Sequence, residues 1–194
     1  MSLLKELLKN KPANKTVFST NEIAQLTNNN HKQNFYSALN YATQKGDLVR
    51  ITRGLYSFDK NYSDLELGNK LRKPSYLSLY TILQSEGVVF QYYNSIYLVA
   101  RKTAEINIDG QKYIYRKLKD TILLNSIGLI TKNATIKASI ERAICDKIYL
   151  DGDEYFDNLR NVNWEFMSEL NEKVYKNKKI KQFILKNVNA GTRD

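Results

Sequence analysis

The stretch Gly46-Asp47-Leu48-Val49-Arg50-Ile51-Thr52-Arg53-Gly54-Leu55-Tyr56-Ser57-Phe58 holds two extended runs that meet at Arg53-Gly54. Leu48, Leu55, Tyr56 and Phe58 are β-formers, and Gly54 accepts the positive φ of a tight hairpin. What precedes the hairpin decides how it is read. Leu3, Leu4, Leu7 and Leu8 recur at helical spacing until Pro12 stops them, predicting a first helix over about residues 2–10. Thr16-Val17-Phe18 is a brief extended segment. Ser19 stands three residues before Glu22, the order of a capping box, and opens a second short helix through Ile23, Ala24 and Leu26. Thr27-Asn28-Asn29-Asn30 makes a polar turn. A third helix is expected from about His31 to Lys45, with Gly46 as its stop.

On that third helix Phe35, Ala38, Leu39 and Ala42 share one face. Gln33, Ser37, Asn40 and Gln44 lie opposite, a stripe without charge but rich in hydrogen-bonding groups. A solvated face usually carries Lys and Glu, whereas Gln and Asn pair with adenine edges in the major groove. The plainer source of the same stripe is a chain that is rich in Asn throughout. Helix, helix, turn, helix and hairpin is the order of a winged helix-turn-helix, in which the third helix enters the major groove and the hairpin tip carries a cation to the backbone or minor groove. On this reading Gln33, Tyr36, Ser37 and Asn40 read base edges, and Lys32, Arg50 and Arg53 hold phosphates or the minor groove.

The charge distribution agrees with that placement. The 194 residues carry a net charge of +10. Residues 1–60 hold nine basic and four acidic side chains, residues 61–172 hold fourteen and fifteen, and residues 173–194 hold seven and one. A/T-rich codon usage explains an abundance of Lys and Asn but spreads it evenly, so excess at the two ends points to phosphates or an acidic partner.

Beyond residue 60 the pattern predicts an α+β domain, residues 61–194, built on a small antiparallel sheet with C-terminal helices. Ser75 is expected to cap a helix through Tyr76, Leu79, Ile82 and Leu83. Strands are expected at 88–90, 96–99, 104–108, 112–118 and 127–131, with Asp109-Gly110 as the strongest hairpin signal. A helix follows over about residues 135–150, and two more span about 163–189. Lys173, Lys176, Lys178, Lys179, Lys181 and Lys186 decorate the last of these, and Lys176, Lys178, Lys179 and Lys181 form a candidate partner-binding group. A packed helix with a wet side produces the same pattern. The final Gly191-Thr192-Arg193-Asp194 reads as a frayed end.

One cysteine, Cys145, and one histidine, His31, leave no ligand set for zinc or haem and no Cys-His or Ser-His-Asp nucleophile, so no metal or other cofactor is expected. Asp151, Asp153, Glu154 and Asp157 are the nearest thing to a magnesium-binding cluster, but they follow a helix end in an Asp-Gly turn and read as solvated. The apolar runs of the middle region contain too few polar groups to suggest a catalytic cleft, and no glycine-rich phosphate loop occurs. The expectation is a non-enzyme. A nucleotidyltransferase or nuclease using Asp151 and Asp153 is the rival. No apolar run approaches the roughly 20 residues that cross a bilayer, and Met1 to Lys11 lacks a signal-peptide pattern, so a soluble cytoplasmic protein is expected, away from membranes.

Three stretches carry a resemblance to a known family. Leu48-Val49-Arg50-Ile51-Thr52-Arg53-Gly54-Leu55-Tyr56, Lys73-Pro74-Ser75-Tyr76-Leu77-Ser78-Leu79 and Glu141-Arg142-Ala143-Ile144-Cys145-Asp146-Lys147-Ile148-Tyr149-Leu150 resemble, in that order, the wing, the Pro-Ser-Tyr-x-Ser-Leu segment and the Glu-Lys-Ala-Leu-x-Asp-x-x-Tyr-Leu helix of the AbiEi family. Those proteins are antitoxins and autorepressors of bacterial type IV toxin-antitoxin systems used in phage defence. The resemblance implies an N-terminal winged helix, residues 1–60, that represses its own operon at inverted repeats. It further implies a C-terminal domain that counters a nucleotidyltransferase-like toxin without a stable complex. The protein is then a monomer or weak dimer that binds operator DNA cooperatively. The competing reading is a winged-helix repressor with no toxin partner, whose second domain dimerises or senses a ligand. Within the second and third stretches, Pro74, Ser75, Tyr76 and Leu79 are expected to start and pack a helix, and Asp146 to cap or pair inside the domain.

Overall fold

Two units divide the chain, Met1–Leu71 and Arg72–Asp194. The structure is a computed structural model that describes residues 3–28, 32–152 and 154–191. Expected features at Ser2, Asn29-Asn30, His31, Asp153 and residues 192–194 lie outside the described residues.

In the first unit, α1 (Leu3–Asn10) turns Leu3 and Leu7 inward. After β1 (Phe18–Ser19) comes α2 (Thr20–Leu26), whose capping box forms as the sequence predicts. The Ser19 hydroxyl accepts from the Glu22 amide at 3.3 Å, and the Glu22 carboxylate accepts from the Ser19 amide at 2.7 Å. Helix α3 (Lys32–Gln44) is followed by the hairpin of β2 (Val49–Thr52) and β3 (Leu55–Ser57), which leaves Arg53-Gly54 as its two-residue loop. Gly54 has φ +78, the left-handed backbone that the loop requires. Its carbonyl accepts from the Thr20 amide at 3.0 Å, tying the hairpin turn to the start of α2. β1 pairs antiparallel with β3, so the sheet order is β1-β3-β2. Leu7, Phe18, Ile23, Phe35, Leu39, Leu48 and Tyr56 form the core between helices and sheet.

This unit ends at Leu71, whereas the sequence placed the boundary at residue 60. The reason is α4 (Asp64–Leu71), which sends the buried carboxylate of Glu66 back to the strand approach. That carboxylate accepts from the Thr16 amide at 2.8 Å, the Thr16 hydroxyl at 2.8 Å and the Val17 amide at 3.1 Å. All three reach Oε2, whereas Oε1 makes no hydrogen bond among the described residues and has the Lys70 ammonium at 3.8 Å.

The second unit comprises β4 (Ser75–Leu77), α5 (Tyr80–Ser85), β5 (Ile96–Ala100), β6 (Ala104–Ile108), β7 (Gln111–Lys117), α6 (Asp120–Leu123), β8 (Leu129–Lys132), β9 (Thr135–Ala138), α7 (Ile140–Asp151) and α8 (Trp164–Leu170). A π-helical turn, Asn171–Tyr175, and α9 (Lys178–Gly191) complete it. The α+β class stands, but the expected small antiparallel sheet is instead six-stranded and mixed. Its order is β6-β7-β5-β4-β9-β8, with β5 parallel to β7 and β4 parallel to β9.

Three local expectations are corrected. Ser75 does not cap a helix, because residues 75–77 pair with β5 on one side and β9 on the other, and α5 begins only at Tyr80. Residues 135–138 are strand rather than helix, and α7 starts after the Ser139 cap, whose side chain accepts from the Arg142 amide. Val88 and Val89 form no strand. Their amides donate to the Leu83 carbonyl at 2.7 and 3.2 Å, which closes the end of α5. Sheet pairing and cap competition override local pattern in each case.

Glu22 also receives Lys15 at 2.7 Å and Lys70 at 2.6 Å. Burial works to raise its carboxyl, but these cations and the Ser19 amide outweigh that and hold it at about 2, below the ordinary 4.5. A depressed carboxyl contributes stability above its unfolded value that is lost as pH falls through its folded value. Glu22→Gln is therefore expected to flatten the loss of first-unit stability between pH 4.5 and about 2, read from urea midpoints at stepped pH. An acid limb identical to that of the unaltered chain contradicts the ion-pair role.

Candidate nucleic-acid interface and the buried polar centre

Helix α3 contains no acidic residue, and its sides are sharply divided. Phe35, Leu39 and Ala42 are buried, while Asn34, Tyr36, Ser37, Asn40, Tyr41 and Gln44 are exposed. Of the residues expected to read bases, Tyr36, Ser37 and Asn40 come together on this outward face. Lys32 and Gln33 lie on the same helix, with side chains outside the described set. Arg50 and Arg53 are exposed on a separate element, the hairpin, with Arg53 at its turn. Neither arginine makes an ion pair among the described residues.

Sequence reading missed Tyr41. It is 57% exposed beside Tyr36 at 53%, so two large aromatic rings face solvent from one helix. Lys45 Nζ stands 4.8 Å from the Tyr41 ring centroid, adding a cation to the face. The signal available in the sequence was an aromatic four residues after Ser37, off the core periodicity.

Lys176, Lys178, Lys179 and Lys181 are all exposed. The other side of α9 is consumed by packing, with Ile180 and Ile184 buried and Phe183 against Phe156 and Trp164. No described helix is long and apolar enough to cross a membrane.

The second unit contains a polar centre that its apolar runs do not announce. Arg142 is 0% exposed. Its Nε donates to the Tyr76 hydroxyl at 3.1 Å, one terminal nitrogen to the carbonyls of Asn125, at 2.8 Å, and Ile127, and the other to the Ile122 carbonyl at 2.7 Å. Asp146, one helical turn further along α7, accepts from the hydroxyls of Ser78 at 2.7 Å, Tyr175 at 2.7 Å and Tyr76 at 3.1 Å. Burial first, and then the Asp146 charge, push the Tyr76 and Tyr175 hydroxyls well above their ordinary range, so both remain donors. Asp146 thus pairs inside the domain. The two sequence motifs at 73–79 and 141–150 meet here, in the interior.

The described carboxylates at and beyond the end of α7 are engaged by cations or a backbone amide. Asp151 accepts from Arg116 at 2.6 Å and Lys147 at 2.9 Å, and Glu154 pairs with Lys147 at 2.5 Å. Asp157 accepts from the Phe90 amide. Among the described residues, no group of three or more His, Cys, Asp or Glu side chains converges as a metal site.

Compared with protein-family models and with curated proteins, the chain gives no match.

Removing the guanidinium takes one donor from the Tyr76 hydroxyl, which keeps Asp146, and one from each of the carbonyls of Ile122, Asn125 and Ile127. Arg142→Met is expected to destabilise the second unit by about 3–5 kcal/mol, and Tyr175→Phe by about 1–2 kcal/mol, measured by urea unfolding. Equal, small losses for both would show that Arg142 does not organise the centre.

Proposed function

We propose that the first unit is a winged helix-turn-helix that binds operator DNA through α3 and the β2–β3 hairpin, and that the protein is an AbiEi-like antitoxin and autorepressor. The observation that carries the reading is the order α1-β1-α2-α3-β2-β3 with the sheet order β1-β3-β2, combined with an acid-free, hydrogen-bonding outer face on α3. A helix of this kind enters the major groove, where Asn40 and Gln33 read adenine edges. Tyr36 and Tyr41 cover base or sugar surface, and Arg50, Arg53 and Lys32 neutralise phosphates. The hairpin tie from Thr20 to Gly54 gives the wing a fixed base.

The second unit carries the antitoxin role in this proposal. Its two resemblance-bearing motifs join through Tyr76, Ser78, Arg142 and Asp146, which supports a scaffolding role for them. The partner is a nucleotidyltransferase-like toxin, countered without stable association.

Asn40→Ala is expected to weaken operator binding by about 1–3 kcal/mol at fixed salt, and Arg53→Ala to reduce the slope of log K against log salt by about 1, both by fluorescence anisotropy. Unchanged affinity and slope in both variants rules out this interface. Co-expression of the full chain with the product of the adjacent downstream reading frame tests the second role. Growth rescue is expected, and repression without rescue would make the protein a repressor whose second unit dimerises or senses a ligand.

A further inference from the structure

A cavity of about 610 Å³ opens in the second unit between the start of α6, Tyr149 on α7 and the segment from Lys173 to Asn177. Lys119, Lys173 and Lys176 line it, and no carboxylate does. Lys119 and Lys176 are exposed and make no ion pair among the described residues. Lys173 meets Glu169 at 2.8 Å, but both side chains are about half exposed, and an ion pair so hydrated is readily exchanged. Thr121 and Tyr149 also line the cavity, and neither hydroxyl makes a hydrogen bond among the described residues. Three lysines and two hydroxyl-bearing residues therefore border one cavity whose lining contains no carboxylate, with Glu169 meeting only Lys173.

The backbone is unusual at the same place. Residues 171–175 form a π-helical turn, a geometry that recurs at functional sites. Lys176 follows with φ 50 and ψ 44, a left-handed conformation uncommon for a long side chain, held by its amide donating to the Asn171 carbonyl. These two departures from regular helix carry Lys176 to the cavity and separate it from the α9 lysines.

We propose that this cavity binds a di- or triphosphate chain of a small ligand, with Lys119, Lys173 and Lys176 neutralising its charges and the Thr121 and Tyr149 hydroxyls donating to its oxygens. The volume suits a nucleotide-sized ligand, and the Tyr149 ring supplies apolar wall for whatever the chain carries. A nucleic-acid backbone requires instead a basic groove that continues from one phosphate to the next. The site is separate from α3 and the hairpin, so it does not rest on the DNA-binding reading.

The test titrates the full-length protein by calorimetry with ATP and with inorganic pyrophosphate, which distinguishes a nucleoside-bearing chain from a free one. Saturable binding of at least one is expected. Lys119→Ala with Lys176→Ala should weaken it by about tenfold or more, the loss of two charge-assisted hydrogen bonds, and Tyr149→Phe by a smaller factor. Lys102→Ala with Lys132→Ala removes the same charge from exposed sites elsewhere in the unit and should leave binding unchanged. Circular dichroism and thermal unfolding verify that each variant is folded. The proposal is overturned if neither probe binds or if the two double variants lose affinity equally. It is also overturned if only a single-stranded RNA oligonucleotide binds in a manner sensitive to Lys119 and Lys176.

Discussion

The guanidinium of Arg142 is the constraint around which the second unit is arranged. A charge with no exposed surface is tolerable only when its donors are matched, and here one planar group serves a hydroxyl on β4 and three carbonyls between residues 122 and 127. Lysine, a single point of charge on a flexible stem, cannot reproduce that fork. The same side chain dictates its surroundings. A Cβ on Gly128 would stand 3.2 Å from the Arg142 Cβ and 3.3 Å from Leu170, and Gly128 also has φ +75, so the loop before β8 accommodates no larger residue without strain. Asp146 extends the network to Ser78 and Tyr175, joining segments separated by as many as a hundred residues in sequence into one hydrogen-bonded set.

Burial of charge also explains why the terminal excess of positive residues is not all available to a partner. Lys15, counted in the basic first sixty residues, is committed to Glu22, whose carboxylate also holds Lys70 from α4. Arg50 and Arg53 remain exposed without an ion pair among the described residues, and Lys45 lies over an exposed tyrosine ring. At the other end the lysines separate into two sets. Lys178, Lys179 and Lys181 decorate the outer side of a packed helix, whereas Lys173 and Lys176 border a cavity.

Legibility followed the range of the interaction responsible. The Ser19 to Glu22 capping box and the Asp109-Gly110 hairpin depend on residues a few positions apart, and both form, the latter with Ile108 opposite Gln111. Ser75–Leu77 and Thr135–Ala138 look helical in local pattern because their strand character comes from partners elsewhere in the chain. Leu77, for instance, lies opposite Lys137 in a parallel pairing that no local pattern encodes. Glu66 and Arg142 look like ordinary helix-surface charges in sequence, and only the partners brought to them by folding make their burial tolerable. On α3 the core face was legible from its period, and so were Tyr36, Ser37 and Asn40. Tyr41 was not, although its position off the core period was the available signal.

By itself the sequence determined the helices and hairpin of the first unit, the segregation of charge to the two ends, and the polar outer face of α3. These are written in periodicity, caps and turn residues, which act over a few positions. Tertiary structure alone decided that α4 belongs to the first unit and that the sheet of the second unit is mixed. It also decided that Arg142 faces inward, and that lysines from two distant segments share one cavity. Each of these depends on free energy gained only when remote groups meet, whether by ladder pairing or by matching a desolvated charge.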